Sequence, residues 1–465
     1  MPPLEISAAE FRALTEAVGT LASDFVAHLD DRQTVSATSA LDTAAFEVPP
    51  PEEGLGRAVL SDLEAIAEHV RAPTGRRLPY VVGSGDAVGA LADLYASVLN
   101  QNVTAWRSAP AAVAIERGVI SWLAEAIGCS GFSGSFTSGG SLANLMALAM
   151  AREAHAPANE EGAQACVVYA SQEVHMSIPK AVAMLGLGRN NLRLIGVDEN
   201  LRIDVQALET AITRDRAAGL RGVALVGSAG TIMSGAIDPL AELAAVARRH
   251  DLWFHVDGAY GAPAALAAPE KFVGMSEADS ISLDAHKWLY QPLDCSVLLY
   301  RDADAARRTF SYSAEYVKTT TADAVEGFAF FDQSIELSRR FRALKLWLSV
   351  RYHGVAAFRA AIAENLAQAT LLAELIEAEP SLELLAPVEL SAVCFRCVTS
   401  NRDANALDKM NDTILDAVNS AGRVWLSNAS VRGTVGLRAC IANHRTTEED
   451  VRAVVSEVLT AVASL

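Results

Sequence analysis

The chain has 465 residues, half of them apolar, and a formal charge of -18. That length exceeds one compact core and predicts a large domain with one or two smaller pieces, while the excess of acid argues against nucleic acid as the main partner. No stretch approaches the ~18 uncharged apolar residues of a membrane span, and Met1-Pro2-Pro3-Leu4-Glu5 lacks a basic segment followed by an apolar run, so the expected location is cytoplasmic.

Phe11, Leu14, Val18, Leu21 and Phe25 recur at three- and four-residue spacing over residues 7–29, with Ser7 and Glu10 suited to a capping box. This predicts an amphipathic helix. Leu55, Val59, Leu63, Ile66 and Val70 repeat the pattern after Pro49-Pro50-Pro51, and the two apolar stripes must be covered by a partner subunit or by the chain's own surface. From about residue 76, helical stretches alternate with β-rich runs at 165–170, 192–197, 223–227, 252–256, 280–283 and 295–300. Continuous apolar strands between helices predict an α/β fold whose mainly parallel sheet is covered on both faces and gathers ligands beyond the strands' C-terminal ends. A long helical segment near 334–378, strands around 391–398, 423–427 and 434–441, and a final helix over 447–463 predict a small α+β domain. The expected division is an N-terminal helical arm over 1–75, a large domain over 76–345 and a small C-terminal domain over 346–465. The six cysteines show no disulfide or zinc rhythm; Cys394 and Cys397 fall in a strand, point to opposite faces and read as buried thiols.

Polar residues just after the strands are the site candidates. In Thr137-Ser-Gly-Gly-Ser141, small residues open a helix whose N–H groups can face a phosphate, although such a turn also serves as an ordinary cap. Asp257 closes Leu252-Trp-Phe-His-Val-Asp257, where a carboxylate can pair with a protonated ring nitrogen, bind a metal or cap a helix. His286 and Lys287 follow the next strand; a desolvated lysine there can condense with an aldehyde while His286 contacts a phosphate. His175, in Glu173-Val-His-Met-Ser-Ile-Pro-Lys180, can stack on a ring and orient a carboxylate. A competing pattern, Gly83-Ser-Gly-Asp-Ala-Val-Gly89, imitates a dinucleotide fingerprint, but its spacing is G-x-G-x-x-x-G and no acid stands ~20 positions after the last glycine.

Together these features resemble the group II pyridoxal-phosphate decarboxylases, the family of aromatic-L-amino-acid decarboxylase and glutamate decarboxylase. The resemblance covers nearly the whole chain and rests on Asp257-Gly-Ala-Tyr260, His286-Lys-Trp288, Asp294-Cys295, Ser338-Arg-Arg-Phe-Arg-Ala-Leu-Lys-Leu-Trp347 and Asn443-His-Arg-Thr-Thr-Glu-Glu-Asp450. It implies the fold-type-I architecture with a seven-stranded, mainly parallel sheet, and pyridoxal 5'-phosphate as cofactor. It further implies Lys287 as the Schiff-base lysine, Asp257 as the pyridinium partner, His175 as the stacking histidine, Gly140 with Ser141 in the phosphate cup, and Ala259 under the ring. Asp284 falls near the phosphate or caps its strand end, and Thr231 matches the first threonine of the family's Gly-Thr-Thr. Tyr316, in Glu315-Tyr-Val-Lys318, corresponds to the tyrosine of a mobile loop that protonates the substrate carbon, which favours decarboxylation of an L-amino acid over oxidative aldehyde formation. The arm resembles one that wraps a second subunit, implying a homodimer with shared active sites. Two departures, Leu78-Pro-Tyr-Val-Val-Gly83 and Ile232, touch the substrate side and the cofactor edge; aromatic, acidic and diamino acids remain as substrate alternatives, with aromatic leading.

Overall fold

The computed structural model describes residues 4–312, 323–400 and 403–464. Its larger sheet contains β1 (Ser133–Thr137), β2 (Cys166–Ser171), β3 (Leu192–Ile195), β4 (Arg221–Ser228), β5 (Trp253–Asp257), β6 (Ser280–Asp284) and β7 (Ser296–Tyr300). The order is β1-β7-β6-β5-β4-β2-β3. Only β7 opposes its neighbours, and every other pairing is parallel. The remaining six strands therefore end along one edge. Every residue of β2, β5, β6 and β7 is buried, as a sheet covered on both faces requires.

A second, antiparallel sheet contains β8 (Leu382–Leu384), β9 (Ala392–Cys397), β10 (Ser427–Val431) and β11 (Thr434–Cys440), ordered β10-β11-β9-β8. The helix Val355–Glu377 and the final helix Glu448–Ala463 pack on each other beside it. Among the described residues no helix is long and apolar enough to cross a membrane.

Several elements depart from the sequence expectation. Ser133-Gly-Ser-Phe-Thr137 opens on serine and glycine instead of a continuous apolar run, yet it pairs along the whole of β7; a Cβ at Gly134 would lie 2.5 Å from the Leu298 carbonyl oxygen. Residues 423–426 do not enter the sheet: Val424 and Leu426 are buried, but the backbone there bridges Arg77, and β10 forms from the more polar Ser427–Val431. The helical run expected from 334 starts only at Ala343 and breaks at Gly354, whose φ of +79° suits a residue without a Cβ. Residues before Ala343 are instead held by side chains, above all Arg339, which is fully buried against Glu116.

At the N-terminus, Ser7 caps the helix Ala8–Ala27 by accepting the Glu10 N–H at 3.1 Å. The reciprocal half of the expected box is missing because the Glu10 carboxylate pairs with Arg57. The second expected helix resolves into a tight turn over Gly56–Val59 and the helix Leu60–Glu68. Neither long N-terminal helix contains a buried residue.

Candidate active site

β4, β5 and β6 end side by side on Ser228, Asp257 and Asp284, with Ser228 opposite Asp257 and Asp257 opposite Ser282. Beyond these ends opens a cleft of about 360 Å³. Gly140 and Ser141 reach it after β1, His175 after β2, Thr231 after β4, Asp257 and Ala259 from β5, and Asp284, His286 and Lys287 from β6. The polar residues expected from sequence thus share one cavity. Tyr316 lies outside the described residues.

Lys287 sits on the single turn Ala285–Trp288 that leaves β6, with Nζ 2.8 Å from Oδ2 of the buried Asp284. Burial pushes the Asp284 carboxyl up, but the charge and hydrogen bond of Lys287 are the main opposing influence, and the group is held below the ordinary carboxylate range. Asp284 is therefore an anion, and its side chain makes no capping bond. His286 Nδ1 lies 3.1 Å from the Cys295 carbonyl oxygen and 3.2 Å from the Cys295 N–H, and Nε2 lies 3.7 Å from Asp284. Burial lowers the pKa of His286, against the pull of Asp284, and keeps it neutral.

Asp257 accepts the Ser282 hydroxyl at 3.0 Å and the Ala259 N–H at 3.2 Å on Oδ1, and the Asn144 amide at 2.9 Å on Oδ2. The metal alternative gains no support, since no group of three His, Cys, Asp or Glu suited to a metal occurs among the described residues. His175 accepts the Ser177 N–H on Nδ1 at 3.2 Å, with the Ser177 hydroxyl 2.8 Å from the same atom. Burial lowers its pKa against the opposing charge of Asp257, so this ring too is neutral.

The residues sequence reasoning missed are Asn144, Ser177, Ser282 and His255, all buried. One signal was available: alternation along a strand puts His255 on the face of Asp257, and Ser280 and Ser282 on the face of Asp284. The imitation of a dinucleotide fingerprint has a packing explanation. A Cβ at Gly83 would lie 2.5 Å from the Lys287 carbonyl oxygen and one at Gly89 2.8 Å from the Pro292 ring, while Asp86 caps the helix Ala87–Leu99. These glycines let the segment press against the chain around Lys287.

The cleft fits pyridoxal phosphate. The helix Gly140–His155 begins on Gly139 with no side-chain cap, which leaves its first turn open to a phosphate. A Cβ at Gly140 would stand 3.0 Å from the Ala259 methyl and from both Asp284 oxygens, so glycine keeps that approach clear. Asp284 Oδ1 is buried without a hydrogen-bond partner, a polar atom that a bound group can satisfy. A lysine, a buried carboxylate and an uncapped helix N-terminus at the strand ends of this sheet define a fold-type-I pyridoxal-phosphate enzyme.

The sequence model of the pyridoxal-dependent decarboxylase conserved domain matches residues 57–398, and the chain belongs to that family. It is an amino-acid decarboxylase that uses pyridoxal phosphate. The chain is 36% identical to an aromatic-L-amino-acid decarboxylase of Bacillus atrophaeus over 98% of this chain and 96% of the relative. It is 31% identical to a phenylacetaldehyde synthase of Arabidopsis thaliana over 80% of this chain and 79% of that one. The structure of Oryza sativa TDC with PLP and tryptamine superposes with a TM-score of 0.92 at 25% identity, covering 100% of this chain and 99% of the other.

Proposed function

We propose that the chain converts an aromatic L-amino acid to its amine and carbon dioxide as a cytoplasmic homodimer. The observation that carries the reading is the meeting of Lys287, Asp257 and His175 in a cleft with an apolar wall of Val81, Val82, Ile232 and Leu293, joined by Tyr80. An aromatic side chain suits that wall better than an acidic or diamino one. The names of the Bacillus atrophaeus relative and of the rice complex point the same way.

In this reading Lys287 would hold the cofactor through its aldehyde, Asp257 would pair with the pyridine nitrogen, His175 would stack on the ring and Ala259 would pack against it. Gly140, Ser141 and His286 would hold the phosphate, with Asp284 and Thr231 at its edge. When bound, the cofactor supplies the electron sink that makes loss of carbon dioxide feasible. Asp284, 2.8 Å from Nζ, would pair with Lys287 whenever that amine is free and protonated. Tyr316 delivers the proton to the substrate carbon.

Incubation with a panel of L-amino acids tests the reading by following amine, carbon dioxide, ammonia and oxygen together. Amine and carbon dioxide from aromatic substrates are expected. Aldehyde and ammonia with oxygen uptake would move the chain to the chemistry named for its Arabidopsis relative.

The homodimer is supported by apolar surface that the chain leaves uncovered: Phe11 and Leu63 on the N-terminal helices, and Leu91, Leu94, Tyr95 and Val98 on the helix Ala87–Leu99, are exposed. Light scattering at micromolar concentration should give twice the chain mass, and a monomer would refute it. Within each subunit we assign residues 1–75 to an arm, 76–345 to the large domain and 346–465 to the small one. All six cysteines are buried free thiols, which supports a reducing compartment.

A further inference from the structure

We infer that Asn144 is a positioning residue that locks Asp257 and His175 into one hydrogen-bonded frame, an inference that rests on the cofactor roles proposed for those two groups.

Asn144 is 1% exposed and lies one turn inside the helix Gly140–His155. The direction of the bonds around it follows from the Asp257 end. An ionised carboxylate can only accept, so the NH2 group of Asn144 faces the cleft and its Oδ1 faces His255 Nε2 at 2.9 Å. Nε2 then carries the proton of the neutral ring, and His255 Nδ1 accepts the Ser280 hydroxyl at 2.9 Å, with the Ser280 carbonyl oxygen 3.2 Å away. Trp253 Nε1 donates to the same Ser280 Oγ at 2.8 Å. One amide proton goes to Asp257 Oδ2 and the other to Ser177 Oγ, each at 2.9 Å. Ser177, accepting there, directs its hydroxyl proton to His175 Nδ1 at 2.8 Å.

A flipped amide would set oxygen against carboxylate at Asp257. A single side chain thereby supports the group at the edge of the ring and the group on its face, and burial keeps His255 behind it neutral. Sequence spacing alone gives Asn144 no distinction from the apolar neighbours on its helix.

The test is a double-mutant cycle on cofactor retention, read as the dissociation rate of pyridoxal phosphate from the purified holoenzyme. Asn144→Leu should speed release roughly 10- to 100-fold, the range of one charge-assisted hydrogen bond, and Asn144→Ser should behave alike if the leucine variant folds poorly. Because Asn144 acts through Asp257, Asn144→Leu combined with Asp257→Asn should lose cofactor no more than about twofold faster than Asp257→Asn alone. Additive effects, or a silent Asn144→Leu beside a strong Asp257→Asn, overturn the inference and leave the assignment of Asp257 standing. A silent Asp257→Asn overturns that assignment instead.

The His175 branch is read without cofactor, by NMR titration of the apoprotein. His175 faces Asp257, Asp284, Lys287 and Lys180, none of which changes in Asn144→Leu or Ser177→Ala. Hydroxyl donation to Nδ1 favours the neutral ring, so both variants should raise the His175 titration. An unchanged titration in both refutes the branch.

Discussion

Arg438, on β11 of the smaller sheet, offers a sharp test of where the substrate sits. The residue is 5% exposed and no carboxylate pairs with its guanidinium among the described residues. It donates instead to the Pro79 carbonyl at 2.8 Å, the Ile232 carbonyl at 2.5 Å and the Ser427 hydroxyl at 3.1 Å. Those carbonyls belong to the two stretches, around Tyr80 and Ile232, that form the apolar wall of the cleft. Arg438→Met strands three acceptors, and a buried acceptor left unpaired costs about 1–3 kcal/mol. The two segments relax toward water, so about 2 kcal/mol of wall rigidity is the expected loss. At 1.4 kcal/mol per tenfold change, KM for the amino acid should rise roughly 10- to 30-fold, and selectivity among aromatic substrates should narrow. Cofactor affinity should stay within about threefold, because Lys287 and Asp257 are held by other contacts. Arg438→Lys keeps the charge but cannot span both carbonyls, and it should recover less than half of the loss. Steady-state kinetics over a substrate panel, with cofactor titration by visible absorbance, measures all of this. An unchanged KM with weakened cofactor binding would refute the reasoning.

Three further outcomes are expected. Lys287→Ala should lose the visible absorbance of the holoenzyme and all measurable turnover; survival of both would remove Lys287 from its proposed role. Glu116 and Arg339 form a fully buried pair that also holds the Phe136 N–H at 3.0 Å and the Phe136 carbonyl at 3.0 Å. Glu116→Gln leaves a buried cation uncompensated and should cost about 3–5 kcal/mol, while Glu116→Gln with Arg339→Met should cost less, as read by urea unfolding midpoints; a double variant weaker than the single contradicts this. His255 is pushed down to about 4 by burial, below its ordinary value of ~6.5. The fold holds it neutral while the unfolded chain protonates it, so this group's contribution is complete above pH ~6.5 and lost as pH falls toward 4, by about 3 kcal/mol. Urea unfolding at pH 7 and pH 5 should show about 2 kcal/mol of that loss in wild type and a flatter response in His255→Gln, which keeps a donor for Asn144.

The strands that carry chemistry were legible because each is a continuous apolar run ending on a polar residue, as in Trp253-Phe-His-Val-Asp257 and Ser280-Ile-Ser-Leu-Asp284. β1 and β10 were not, because the serines and glycine of β1 and the serines and asparagine of β10 are stabilised by pairing with a neighbour strand, a non-local interaction that leaves no local periodicity. The stretch before Ala343 looked helical for the complementary reason. Its arginines suit a helix surface, yet Arg339 and Arg342 are committed to partners far along the chain, the buried Glu116 and the half-buried Asp294.

Sequence by itself determined the type of fold, the cofactor and the roles expected of Lys287, Asp257 and His175, since those depend on residue type at strand ends and on motifs that survive without coordinates. Only the tertiary structure decided that Asp284 stands 2.8 Å from Lys287, that Arg438 braces two distant stretches of the wall, and that Asn144 lies between Asp257 and Ser177. Hydrogen bonds join atoms remote in sequence, and their directions depend on which donors and acceptors the packed sheet brings within 3 Å.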